Sequence, residues 1–150
     1  MTVEDDARVR LHIFQTFVDT GSPPTPQDTA AAMSISEPEA AAAFRRLAEG
    51  RAIVLEPGST DVWMANPLSA RPTEFDVRAA DGRRWHGVCA WDAPGVLAMI
   101  GSEGMVSTSC PDCGEPLELR VENGEMRGPE GAVAHFLVPA KRFWDDIGFT

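Results

Sequence analysis

Cys89 stands three positions before an acid, Asp92, in the string Trp85-His86-Gly87-Val88-Cys89-Ala90-Trp91-Asp92-Ala93-Pro94-Gly95-Val96-Leu97. A strand running to Val88 and an apolar helix opening after Asp92 would hold thiol and carboxylate together at a helix N-terminus. Backbone dipoles there favour anions and can lower a thiol's pKa, which makes Cys89 a plausible thiolate, the form of cysteine that attacks electrophiles and binds metals. Two plainer readings stay open: Asp92 as the helix N-cap, and Cys89 as a buried, inert thiol. Trp85 and Trp91 flank the cysteine and would wall an apolar pocket, or serve only as core.

The other two cysteines form Cys110-Pro111-Asp112-Cys113-Gly114. C-x-x-C-G is the form of a metal knuckle, in which a tight turn aims two sulfurs at one ion. One knuckle supplies half of a zinc site, and Cys89, His86 and His135 are the residues that could complete it. A redox pair and two free thiols in a turn are the alternatives. His86 and His135 lie in apolar strand-like contexts, where a satisfied core or edge histidine is commoner than a ligand, and His12 lies in a helix far from the motif. A phosphate-binding loop, a serine triad and a zinc-protease helix are absent from the sequence.

The elements around these residues are legible from periodicity. Val9, Leu11, Ile13, Phe14, Phe17 and Val18 carry helical spacings. Thr25-Pro26 reads as an N-cap followed by proline at the first helical position, opening a short helix to Met33; Ser36 with Glu37 and Glu39 starts a third, running to Glu49 before Gly50. Ala52–Leu55 and Val62–Met64, joined by Pro57-Gly58-Ser59-Thr60, predict a hairpin. Asn66–Thr73 is a proline-bearing linker, which sets a lobe boundary after residue 66. Beyond it, Glu74–Arg78 and Arg84–Val88 predict strands around Asp81-Gly82, Ala93–Ile100 a buried helix stopped by Gly101, and Met105–Ser109, Leu117–Val121 and Ala132–Val138 further strands. Lys141–Ile147 would begin another helix.

The expected architecture is therefore α+β: a three-helix, winged-helix-like lobe over 1–66, then a mostly antiparallel sheet lobe with a buried helix over 67–150. A winged helix invites a DNA reading, with Arg45 and Arg46 on phosphates. Ala40 to Ala43 offer no base-reading side chains, however, and the formal charge of −10 repels a phosphate backbone. Nucleic acid is not an expected partner. No run of apolar residues reaches the roughly 18 needed to span a bilayer, so no membrane is expected either. The acidic start, Met1-Thr2-Val3-Glu4-Asp5-Asp6, and the odd cysteine count point to a reduced, cytoplasmic setting rather than to an exported disulfide framework.

The pattern Cys89-Ala90-x-Asp92 followed by an apolar helix, after a three-helix lobe and a Pro72-Thr73 linker, resembles the organomercurial (alkylmercury) lyase family. Gly101, Ser107-Thr108-Ser109-Cys110, Gly114-Glu115-Pro116-Leu117 and His135-Phe136-Leu137-Val138-Pro139 fit the same order, so the likeness covers nearly the whole chain. The resemblance implies that Cys89 binds the mercury of R–Hg⁺ as thiolate and that Asp92 takes part in proton transfer to the carbon leaving group. The reaction is protonolysis of a carbon–mercury bond; free cytosolic thiols then remove Hg²⁺, and no resident cofactor is required. A soft thiolate suits a soft metal, and an acid within roughly 3 Å of the carbon could protonate it.

The family also uses a second, later cysteine, whose place falls near Phe149-Thr150, whereas no cysteine follows Cys113. Either the chain is a shortened form, with Ile147–Thr150 entering a further strand, or it is a relative without two-thiolate chemistry. Cys110 or Cys113 could also replace the missing sulfur, making Cys89, Cys110 and Cys113 the metal ligands. Two rivals to a lyase follow: a non-catalytic soft-metal binding relative for Hg, Zn or Cu, and a metal-sensing regulatory module.

Overall fold

The computed structural model describes residues 3–148, and two of its helices start where the sequence supplies caps. Helix α1 spans Val3–Thr20, α2 Pro26–Met33 and α3 Glu37–Glu49. Thr25 Oγ1 accepts from the Asp28 N–H at 3.1 Å while the Asp28 carboxylate accepts from the Thr25 N–H at 3.1 Å. Ser36 and Glu39 repeat this reciprocal arrangement at α3, so both helices open on a capping box that satisfies otherwise orphaned donors. Val9, Ile13 and Phe17, one α1 turn apart, are wholly buried in the same core as Ala43, Phe44 and Leu47 of α3.

Eight short strands follow: β1 (Val54–Leu55), β2 (Val62–Ala65), β3 (Leu68–Ser69), β4 (Asp76–Ala79), β5 (Arg84–Gly87), β6 (Gly104–Ser109), β7 (Pro116–Glu122) and β8 (Glu125–Arg127). They form one antiparallel sheet in the order β1-β2-β3-β5-β4-β6-β7-β8. The chain is therefore α+β. Helix α4 (Asp92–Ile100) lies across the middle strands. Its Val96 and Leu97 share a core with Val77, Trp85 and Val106, which stand opposite one another on one sheet face. Two close approaches seat this layer: a side chain at Gly87 would come within 2.5 Å of Ala93, and one at Gly104 within 2.3 Å of the Arg78 carbonyl. Among the described residues no helix is long and apolar enough to cross a membrane.

Four expectations need correction. The segment 66–73 is not a plain linker: after the cis Asn66–Pro67 bond, Leu68 and Ser69 pair with β2 on one side and β5 on the other. The sheet and the core thus run without a break across residue 66. Ala132–Val138 is not a strand but irregular backbone; β8 takes the position beside β7 instead. The reason is the Asn123-Gly124 turn, whose φ values of 53° and 76° match the type I′ hairpin geometry that returns the chain at once. Of that run, His135, Phe136 and Leu137 line a cavity, whereas Val133 stands exposed. Finally, Ala140–Asp145 forms a 3₁₀ turn rather than an α-helix, and the strand expected over 147–150 begins as a turn, with Phe149 and Thr150 outside the described residues.

Candidate functional site

Cys89 sits in the short connection between β5 and α4, and backbone bonds hold it on both sides. The Val88 N–H donates to the Pro67 carbonyl at 3.1 Å, and the Cys89 carbonyl accepts from the Ala93 N–H at 3.0 Å. The first helical turn is thus already closed around the thiol. Asp92 is the first helical residue; the N-cap position belongs to Trp91, whose side chain caps nothing. The N-cap reading of Asp92 therefore gives way, and its carboxyl lies near enough to the Cys89 thiol for each group to act on the other.

Electrostatics at the pair run partly against expectation. Burial pushes the Cys89 thiol above its usual value, and the Asp92 carboxylate adds to that; the N–H groups of Asp92 and Trp91 pull it down, as a helix N-terminus should. Desolvation wins because both groups are partly buried, whereas the helix-end effect is modest. Burial likewise raises the Asp92 carboxyl, against the lowering effect of the Cys89 hydrogen bond. Burial thus shifts both groups toward their protonated forms, which makes the Asp92 carboxylate a more receptive neighbour for a proton leaving Cys89.

Cys89 opens onto a cavity of about 520 Å³. Its walls include Trp63 and Met64 of β2, Phe75 before β4, Val88, and His135 and Phe136 from the irregular segment. The expected tryptophans do not wall it. Trp85 is core, its indole N–H shared between the Phe17 and Val18 carbonyls, each at 3.2 Å. Trp91 is 70% exposed and borders a shallower apolar depression with Phe136, Leu137 and Phe143. Trp63 supplies the indole instead, with the Arg71 guanidinium stacked 4.0 Å over its ring and Arg71 also paired with Glu56. No spacing in the sequence relates Trp63 or Phe75 to Cys89; strand pairing brings them together.

Residues 68–150, more than half of the chain and the part that starts at β3, match the family model for alkylmercury lyase. The chain belongs to the alkylmercury lyase family. Among solved structures it is similar to the mercury-bound form of MerB2, with a TM-score of 0.66 and 21% identity over 87% of this chain and 62% of that one. That likeness concerns the fold, and this chain spans less than two thirds of the MerB2 chain. No curated protein matches it.

The segment matched to the alkylmercury lyase family also contains Cys110 and Cys113, in the turn between β6 and β7. The Cys110 N–H donates to the Glu115 carbonyl and the Gly114 N–H to the Cys110 carbonyl, both at 2.8 Å, with Gly114 at a φ of 73° that favours glycine. The N–H groups of Cys113 and Asp112, then the Cys113 thiol, lower the Cys110 thiol. All three cysteines are free. Among the described residues no three His, Cys, Asp or Glu side chains gather where one metal ion could sit. The two sulfurs of the turn therefore lack the further ligands a closed zinc site needs, and Cys89, Cys110 and Cys113 do not converge. His135 lines the cavity, whereas His86 lies on β5 between Ser69 and Asp76, its Nδ1 buried without a partner among the described residues.

Proposed function

We propose that this chain cleaves organomercurials by protonolysis of the carbon–mercury bond, with Cys89 as mercury ligand and Asp92 as proton carrier. The observation that carries the reading is the placement of Cys89 just before Asp92 at the start of α4, with Cys89 lining a cavity walled by Trp63, Phe75 and Phe136. Family membership supports the reaction class, and the placement of Cys89 and Asp92 supports a route.

As the Cys89 sulfur bonds R–Hg⁺, its S–H bond breaks and the proton passes to the Asp92 carboxylate. Burial shifts the Asp92 carboxyl toward its protonated form, which suits it to receive that proton. Asp92 then gives the proton to that carbon. The electron pair of the C–Hg bond becomes the new C–H bond, R–H leaves, and Hg²⁺ remains on the Cys89 sulfur. Free small thiols take the ion away. An acid placed in this way contributes roughly 10²–10⁴ in rate, and an apolar wall suits the departing hydrocarbon.

Benzene release from a phenylmercury salt in excess thiol tests this reading. Cys89→Ala should fall to the thiol-only background, and Asp92→Asn should lose on the order of a hundredfold or more while still binding mercury. Mercury retained by the unmodified protein without benzene above background would sink the proposal in favour of a non-catalytic soft-metal binding relative.

A further inference from the structure

The turn from Cys110 to Glu115 is built to a pattern that its place in the sheet does not require. A β6–β7 connection needs only to reverse the chain. This one closes two backbone bonds around Cys110, through Glu115 and Gly114, and uses a glycine at positive φ to do so. The result sets Cys110 and Cys113 three residues apart within one closed reversal. Cys110 is half-buried and Cys113 exposed, so the pair is both supported and open to solvent. Asp112 and Glu115 add negative charge beside it, which favours a cation.

We propose that Cys110 and Cys113 form a second soft-cation site, separate from Cys89, which holds an ion such as Hg²⁺ between two thiolates in two-coordinate geometry. The ion class follows from the donor set. Thiolates select soft metals, and a tetrahedral zinc centre requires four ligands where the described residues bring two. An ion content with two sulfurs meets its needs here. Binding converts two thiols to thiolates, releases two protons and forms two S–Hg bonds, leaving a neutral complex with no change in oxidation state. The site stands apart from the lyase reading, since Hg²⁺ from any source would occupy it. If the lyase reading also holds, the same protein both releases the ion and carries a chelate that single thiols strip poorly.

The test uses reduced Cys89→Ala protein, so that loss of the lyase reaction has no bearing on the result. Hg²⁺ is added with a large excess of a monothiol, free ion is removed by gel filtration, and retained mercury is counted. The expected result is one ion per chain, with two sulfur neighbours by X-ray absorption. Adding Cys110→Ser or Cys113→Ser should shift the competition midpoint on the order of a hundredfold, since the second sulfur no longer acts at the high effective concentration of a linked pair. Unchanged circular dichroism would show that the variants remain folded. Equal retention by the Cys89→Ala protein and the triple variant lacking all three thiols would overturn the proposal. So would three or four sulfur neighbours with one ion shared by two chains.

Discussion

At the scale of single residues, the Cys89–Asp92 pair explains its own chemistry by opposing effects on one thiol. Helix-end N–H groups lower its pKa, while burial and the neighbouring carboxylate raise it, and the raising effects win. Asp92→Asn removes one of them. The pH dependence of Cys89 alkylation should therefore move to lower pH in that variant, as mass spectrometry of labelled peptides would reveal; a shift to higher pH would mean that the carboxylate does not face the sulfur. The same substitution bears on stability. The raised Asp92 carboxyl means that the folded protein holds its proton more tightly than the unfolded chain does, so its contribution is greatest at low pH and is lost as pH rises through the folded value. Adjacency of thiol and acid was legible because three positions at a helix start fix it locally. The cavity walls were not: Trp63, Phe75 and Phe136 come from separate elements, and local periodicity carries no record of which meet.

Among elements, α4 decides whether that pair exists, and its seat is the bare backbone of Gly87. A methyl group there would stand 2.5 Å from the Cα and Cβ of Ala93, well inside contact distance, against helix backbone that cannot turn aside. Gly87→Ala should cost about 1–3 kcal/mol in urea unfolding. It should also speed Cys89 alkylation, because the helix start must lift. An unchanged unfolding midpoint would show that α4 is less closely seated. Caps and turns made most elements legible: Thr25 with Asp28, Ser36 with Glu39, and Asn123-Gly124 are short-range instructions. The segment 132–138 misled because apolar residues can line a cavity, as Phe136 and Leu137 do, without pairing in a sheet. Only a partner strand would have made it β, and β8 already pairs with β7 at that edge.

On the scale of the whole molecule, Trp85 ties the helical part to the sheet. Its indole N–H reaches the Phe17 and Val18 carbonyls at the end of α1, and its ring lies in the same core as Phe17, Phe44 and Val96. Trp85→Phe, which keeps an aromatic ring but loses the N–H, should destabilise the protein by about 1–3 kcal/mol. Helical and sheet signals should still disappear in one urea transition, because one core serves both. Two separate transitions would show that the halves fold independently.

The irregular stretch that roofs the cavity has a further consequence. Among the described residues from Gly128 to Gly148, the backbone bonds outside regular elements are those of Ala132 to Pro129 and Arg142 to Pro139. A covering held by side-chain contacts can detach at a fraction of the free energy needed to unfold the sheet beneath it. Access to Cys89 is then governed by the breathing of this stretch rather than by the resting aperture, and the largest molecule admitted is set by how far a weakly laddered segment swings.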